Sequence, residues 1–174
     1  MMEYVQLVDE EDNNIGIMEK LAAHEQAKLH RALSVFIFNT QGDLLLQQRA
    51  ADKYHSAHLW TNTCCTHPMP NEPVLAAAHR RLQEEMGMDC TLQHQFNFLY
   101  QADMGNGLVE HEYDHIFFGV SDVLPQPNPD EVQAYTYLSF EVIKAKMLEH
   151  PEQFTAWFKL IIDKVKDIRH GATA

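Results

Sequence analysis

The sequence predicts an α+β fold, a mixed β-sheet held between helices in an α/β/α sandwich, with residues 1–174 forming one domain. Three observations predict it. Several short apolar stretches read as strands, the strongest being Ser34-Val35-Phe36-Ile37-Phe38. A helix bounded by Pro73 and Gly87 falls among those strands rather than after them. Two more helices close the chain on either side of Pro151, which cannot continue the first of them. Strands interrupted by a few helices bury their sheet faces most simply under helices on both sides.

Taken in order, Tyr4 to Val8 alternates weakly and ends in the turn-rich segment Asp9 to Asn14. Lys20 to Leu29 is rich in helix formers but short. After the apolar strand, Gln41-Gly42-Asp43 turns the chain, and Leu44 to Arg49 is expected back as its hairpin partner. In the helix from Pro73 to Gly87, Leu75, Leu82 and Met86 share one arc, and Arg81, Glu84 and Glu85 share another. One face therefore packs while the other meets something charged. Phe96 to Ala102 reads as a strand, Met104 to Gly107 as a turn, and Val109 to Val120 as a long strand. Period-two geometry puts Glu110, Glu112 and Asp114 on one face of that strand. Pro125 to Pro129 is a loop, Ala134 to Leu138 a last strand, and helices follow over Phe140 to Glu149 and Phe154 to Arg169.

A length of 174 residues suits a single sizeable core. The net charge of −12 argues against nucleic acid and anionic membranes as partners. An anionic small molecule requires the few cations to gather at its site. Eleven histidines favour a metal centre, and three cysteines, two of them adjacent, suit free thiols in a reducing cytoplasm. No apolar run approaches the ~18 residues of a membrane span.

The chemistry concentrates at Thr61-Asn62-Thr63-Cys64-Cys65-Thr66-His67-Pro68. A thiol there lies two residues from an imidazole, upstream of a helix with paired carboxylates. Thiols serve proton transfer or nucleophilic attack, imidazoles serve as ligand or base, and carboxylate pairs hold hard cations. Alone, Cys65 and His67 also fit a buried thiol beside a surface imidazole. Glu110-His111-Glu112 fits either a solvated edge strand or two carboxylates aimed at one divalent metal. His24 and His30 lack the i,i+4 spacing of a helical ligand pair, and Arg49 and Lys53 are either solvated loop charges or an anion grip.

From Thr66 to Met88 the chain resembles the Nudix box, G-x5-E-x7-R-E-U-x-E-E-x-G-U with U aliphatic. Glu72, Arg80, Leu82, Glu84, Glu85, Gly87 and Met88 match it. Thr66 replaces its glycine and Arg81 one of its glutamates. Exchanging a metal-binding carboxylate for arginine favours gripping a diphosphate over hydrolysing it. The bland alternative is an amphipathic helix with an Arg81–Glu85 pair at i,i+4.

Over roughly Val5 to Ile168 the chain resembles the type I isopentenyl-diphosphate isomerases, a branch of the Nudix superfamily. The landmarks are Ala22-Ala23-His24, Leu29-His30, the Phe36 to Arg49 hairpin, Trp60 to Pro68, the altered box with Arg81, Tyr100, Glu110-His111-Glu112 and Trp157. The resemblance implies a Nudix-like fold and transposition of a double bond between isopentenyl and dimethylallyl diphosphate, through a tertiary carbocation-like species. It implies catalytic roles for Cys65, Glu112 and Tyr100. It implies a divalent metal (zinc, manganese or magnesium) on His24, His30, His67, Glu110 and Glu112. Glu85 would hold a magnesium ion bridging to the diphosphate, which Arg49, Lys53 and Arg81 would grip. Trp157 would wall the cation-like carbon with its π-face. His55 and His58 are read as nearby decoys outside this set. The expected partner is the small diphosphate alone, with the chain a monomer or weak homodimer. A Nudix diphosphate hydrolase, and a metal or redox module built on Cys64, Cys65 and His67, are the rival readings. The first has no reason for Arg81 or Cys65, and the second leaves Arg49, Arg81 and Glu112 unexplained.

Overall fold

The computed structural model describes residues 1–171; residues 172–174, the end of the expected domain, lie outside the described residues. The strands are β1 (Tyr4–Val8), β2 (Asn14–Glu19), β3 (His30–Phe38), β4 (Leu44–Arg49), β5 (Trp60–Thr61), β6 (Cys64–Thr66), β7 (Gln93–Gly105), β8 (Leu108–Val120) and β9 (Val132–Leu138). The helices are α1 (Lys20–Glu25), α2 (Val74–Met86), α3 (Phe140–Glu149) and α4 (Ala156–Gly171), with a 3-10 turn at Pro151–Gln153.

β3 organises the sheet. Along one side it runs parallel to β8, from His30 opposite Glu112 to Phe38 opposite Val120. Along its other side it meets β1 at Leu7, then β6 over Leu33 to Val35, then β4 at Leu44. The expected hairpin therefore closes only at its tip, Phe38 opposite Leu44. β4 takes β9 as its long partner, and β5 on its other edge. β3 and β4 splay apart below the turn, and residues 60–66 fill the gap, bonded first to β4 and then to β3. Thr63 bridges the two: its hydroxyl donates to the Leu45 carbonyl at 2.7 Å and accepts from the Ile37 amide at 2.9 Å. That insertion needs no long apolar run, which is why β5 and β6 were not apparent in the sequence; the exposed β2 was missed for the same lack of pattern.

Period-two alternation divides the core between the two sheet faces. Phe36, Phe38, Leu44 and Leu46 pack against Phe158, Ile161 and Val165 of α4 and Ile143 of α3. Leu33, Val35, Ile37 and Leu45 pack against Ala77, Ala78, Leu82 and Met86 of α2. The α/β/α sandwich is thus the observed architecture. Within α2, Leu75 is exposed despite sharing the arc of Leu82 and Met86, because it lies in the first turn, beyond the sheet; Ala77 and Ala78 take its place. Pro73 caps the helix from one residue outside, and Gly87 ends it in the left-handed region at φ +59°, where a Cβ would collide with Gln126. The turn joining β7 to β8 carries Asn106 and Gly107, both at positive φ, as a two-residue hairpin of the observed twist requires. No described helix is long and apolar enough to cross a membrane.

Candidate active site

A cavity of about 640 Å³ opens at one end of the β3–β6 and β7–β8 pairs. The register brings its chemistry together. Ser34 pairs with Cys65, His30 with Glu112, and Tyr100 with Glu112. β8 is therefore a central strand, and Glu110, Glu112 and Asp114 are buried on one face of it rather than solvated on an edge. α1 is short because its purpose is local: Glu19 caps it by accepting from the amides of Leu21 and Ala22, and it delivers His24 fully buried into the same pocket.

One wall of the site is a histidine–carboxylate cluster. His24 Nδ1 donates to the Lys20 carbonyl at 2.7 Å, and His30 Nδ1 to the Lys28 carbonyl at 2.8 Å. A carbonyl only accepts, so both protons sit on Nδ1 and both bare Nε2 atoms point inward. His30 Nε2 lies 3.2 Å from His67 Nε2, and Glu112 Oε1 lies 3.0 Å from His67 and 3.5 Å from His30. His24 Nε2 is 3.8 Å from Glu110 Oε1 and, though buried, has no hydrogen-bond partner among the described residues. Donor atoms of His24, His30, His67 and Glu112 lie within 4.8 Å of one another. Converging lone pairs with an orphaned buried nitrogen are the donor set of a divalent cation, so the residues fit a metal. Burial pushes His67 down to about 3, keeping it neutral as a ligand must be. Burial also depresses His24, but Glu110 outweighs it and leaves that ring raised.

Tyr100 joins the two carboxylates. Its oxygen lies 2.6 Å from Glu110 Oε2 and 2.8 Å from Glu112 Oε2. The hydroxyl can donate to either carboxylate, one at a time. Burial and the Glu112 charge raise Glu110, whereas His30 and His67 overcome burial to hold Glu112 well below the carboxylate range. The Tyr100 hydroxyl thus links a carboxyl group held above its ordinary range to one held well below it.

A second part of the lining is built around Cys65. Its thiol donates to Asn62 Oδ1 at 2.7 Å and accepts from Trp157 Nε1 at 3.0 Å. Asn62, fully buried, is oriented by donating to the carbonyls of Val35 at 3.1 Å and Cys64 at 2.9 Å. Ser34 Oγ sits 3.6 Å from the sulfur and donates to Asp114 Oδ2 at 2.7 Å. Burial first, then the Asp114 carboxyl, pushes the Cys65 thiol far up, so it is protonated at neutral pH. Cys64 faces away, buried under α2.

Three cations also line the cavity. Arg49 packs over the Trp157 ring at 5.3 Å and makes no ion pair among the described residues. Lys53 pairs with Glu131, and Arg81 with Glu84, Glu85 and Glu131. Glu85 is buried, one oxygen taken by Arg81 at 2.6 Å and the other by Gln47 at 3.0 Å. The structure thus brings every residue singled out from the sequence, Cys65, Glu112, Tyr100, Arg49, Lys53, Arg81, Trp157, His24, His30, His67, Glu110 and Glu85, into or against one cavity. It also brings there Lys20, Ser34 and Gln47, which sequence reasoning passed over, and His55, read from the sequence as a decoy. The His55 Nε2 atom is 3.4 Å from Glu110 Oε1. His58 does stay outside, exposed and bonded to Gln133.

Comparison with known proteins bears on the family and the fold. The NUDIX domain profile matches residues 28–158. The chain is 55% identical over 163 residues to an isopentenyl-diphosphate Delta-isomerase of Pectobacterium atrosepticum, covering 94% of this chain and 91% of that one. It is 47% identical to isopentenyl-diphosphate Delta-isomerase 2 of Aromatoleum aromaticum, covering 100% and 93%. Among solved structures, a Deinococcus radiodurans protein superposes with a TM-score of 0.71 at 20% identity, covering 84% of this chain and 90% of that chain. A MutT protein of Methanosarcina mazei gives 0.65 at 17%, covering 84% and 96%. At such identities these two speak for the fold alone.

Proposed function

The chain belongs to the Nudix family and, within it, to the isopentenyl-diphosphate Delta-isomerases, and from that premise we propose how its two walls divide the reaction. It interconverts isopentenyl and dimethylallyl diphosphate. The shift adds a proton to the terminal methylene carbon and removes one from the methylene next to the branched carbon. No atom is gained or lost, so the protein must give and take one proton each. The observation that carries the reading is the presence in one cavity of a proton donor, the Cys65 thiol, and a proton acceptor, the Tyr100-linked Glu112 carboxylate.

Burial keeps Cys65 protonated, and Asn62 and Trp157 fix the direction of its S–H bond. Glu112, ionised and fed by Tyr100, is the complementary acceptor. Trp157 contributes its π-face to a developing positive charge on the branched carbon and offers no nucleophile to trap it. Arg49, Lys53 and Arg81 hold the diphosphate, with Arg49 the least committed elsewhere. His24, His30, His67, Glu110 and Glu112 would hold a divalent ion, zinc, manganese or magnesium. Glu112, as a ligand, would be oriented by such an ion, which would lower the pKa of what it binds. Glu85 would hold a magnesium ion arriving with the diphosphate. Three free thiols suit a reducing cytoplasm.

The roles are separable by experiment. Glu112→Gln should lose turnover while diphosphate affinity, measured by calorimetry with inorganic pyrophosphate and magnesium, changes less than about threefold. Equal loss of binding and rate would refute this division of labour.

A further inference from the structure

We propose that His55 is a further ligand of the divalent metal centre, a fourth imidazole set beside Glu110 and His24. The proposal rests on the reading that the histidine–carboxylate cluster holds a cation. His55 is 8% exposed, although it lies in the irregular segment between β4 and β5. Its Nε2 lies 3.4 Å from Glu110 Oε1, the same oxygen that His24 Nε2 approaches at 3.8 Å. The donor atoms of His24, His55 and Glu110 fall within 4.8 Å of one another, as do those of His24, His30, His67 and Glu112. The two groups share His24, whose buried Nε2 has no hydrogen-bond partner among the described residues.

The surroundings hold His55 in that pose. Its Nδ1 lies 3.2 Å from Ser56 Oγ, which itself donates toward Met104 Sδ and so has lone pairs with which to accept. That assigns the proton to Nδ1 and turns the Nε2 lone pair toward Glu110 and His24, as outer partners do for metal-bound imidazoles. Arg49 Nη2 donates to the His55 carbonyl at 3.3 Å, and Ser56 turns the chain at a left-handed φ of +54°. The ring is flanked edge-on by Tyr54 at 4.6 Å and Trp157 at 6.0 Å. A merely solvated loop histidine needs none of these. With His55 the centre offers four imidazoles and two carboxylates. Imidazole nitrogen favours zinc and cobalt over magnesium, so His55 biases the site toward the softer ions.

The test uses the whole chain, stripped with chelator. Zinc affinity is read by competition with a chromophoric chelator, and the ligand field from the visible spectrum of the cobalt(II) form. Wild type, His55→Ala, His55→Gln and His58→Ala are compared, with circular dichroism to establish folding. The proposal expects zinc affinity to fall by at least about 10-fold in both His55 variants. It expects the cobalt spectrum to change with it, and His58→Ala to match wild type. Folded His55 variants that keep zinc affinity within about twofold and an unchanged cobalt spectrum overturn the proposal. Wild type that takes up neither ion overturns the underlying metal reading as well, and the proposal with it.

Discussion

Replacing Tyr100 by phenylalanine isolates one oxygen atom. The ring is 7% exposed and stacks on Phe98 at 5.4 Å, so the packing survives the change. What is lost is the hydroxyl that lies 2.6 Å from Glu110 and 2.8 Å from Glu112. A hydrogen bond to a charged partner contributes about 1.5–3 kcal/mol. If that bond supports Glu112 in the transition state, kcat should fall about 10- to 150-fold, at 1.36 kcal/mol per decade. KM should change less than about threefold, because the hydroxyl touches none of the cations that face the diphosphate. The assay is steady-state conversion of isopentenyl diphosphate, with thermal unfolding as the check on folding. A kcat within twofold of wild type in a folded variant would refute the proton link through Tyr100.

Three further outcomes follow from the same geometry. Cys65→Ala should be folded and inactive, whereas Cys64→Ala, altering a residue packed under α2, should retain at least about a tenth of the activity at some loss of melting temperature. Full activity of the Cys65 variant would end the two-wall mechanism. Because burial raises the Cys65 thiol, its alkylation by iodoacetamide should keep rising about tenfold per pH unit up to pH 10, where an ordinary thiol levels off near pH 9. Peptide mapping separates it from Cys90, and a plateau near pH 8.5 would contradict the assignment. Trp157→Phe, which removes the indole N–H 3.0 Å from the sulfur but keeps an aromatic wall, should slow turnover less than Trp157→Ala. Equal rates for the two would show that the π-face contributes nothing.

The parts of the fold that local chemistry dictates were legible. Pro73 and Gly87 bound α2 within a residue, and alternation put Glu110, Glu112 and Asp114 on one buried face. What pairing dictates was not. β3 extends back to His30 because β8, more than seventy positions later, supplies a parallel partner there. The hairpin expected between β3 and β4 gives way to a splayed pair with the cysteine segment inserted, since Gln41-Gly42-Asp43 fixes the turn but not the strands beyond it. The site follows the same division. Cys65, Tyr100, Glu112 and the histidines stood out as motif residues. Ser34, whose hydroxyl links Cys65 to Asp114, sits in an apolar run with nothing to single it out. Asn62 did lie inside the cysteine motif, but only the fold shows its amide aiming Oδ1 at the thiol. His55 reads from the sequence only as a decoy, because its position depends on how a loop without regular structure turns at Ser56.

The central claim is double-bond transposition by proton exchange at two walls of one cavity. Proton NMR of isopentenyl diphosphate in heavy water, with purified protein and magnesium, tests it most directly. The account predicts dimethylallyl diphosphate as product, with deuterium entering the methyl group formed from the terminal methylene. Release of inorganic phosphate or pyrophosphate, or substrate left intact without exchange, would contradict it.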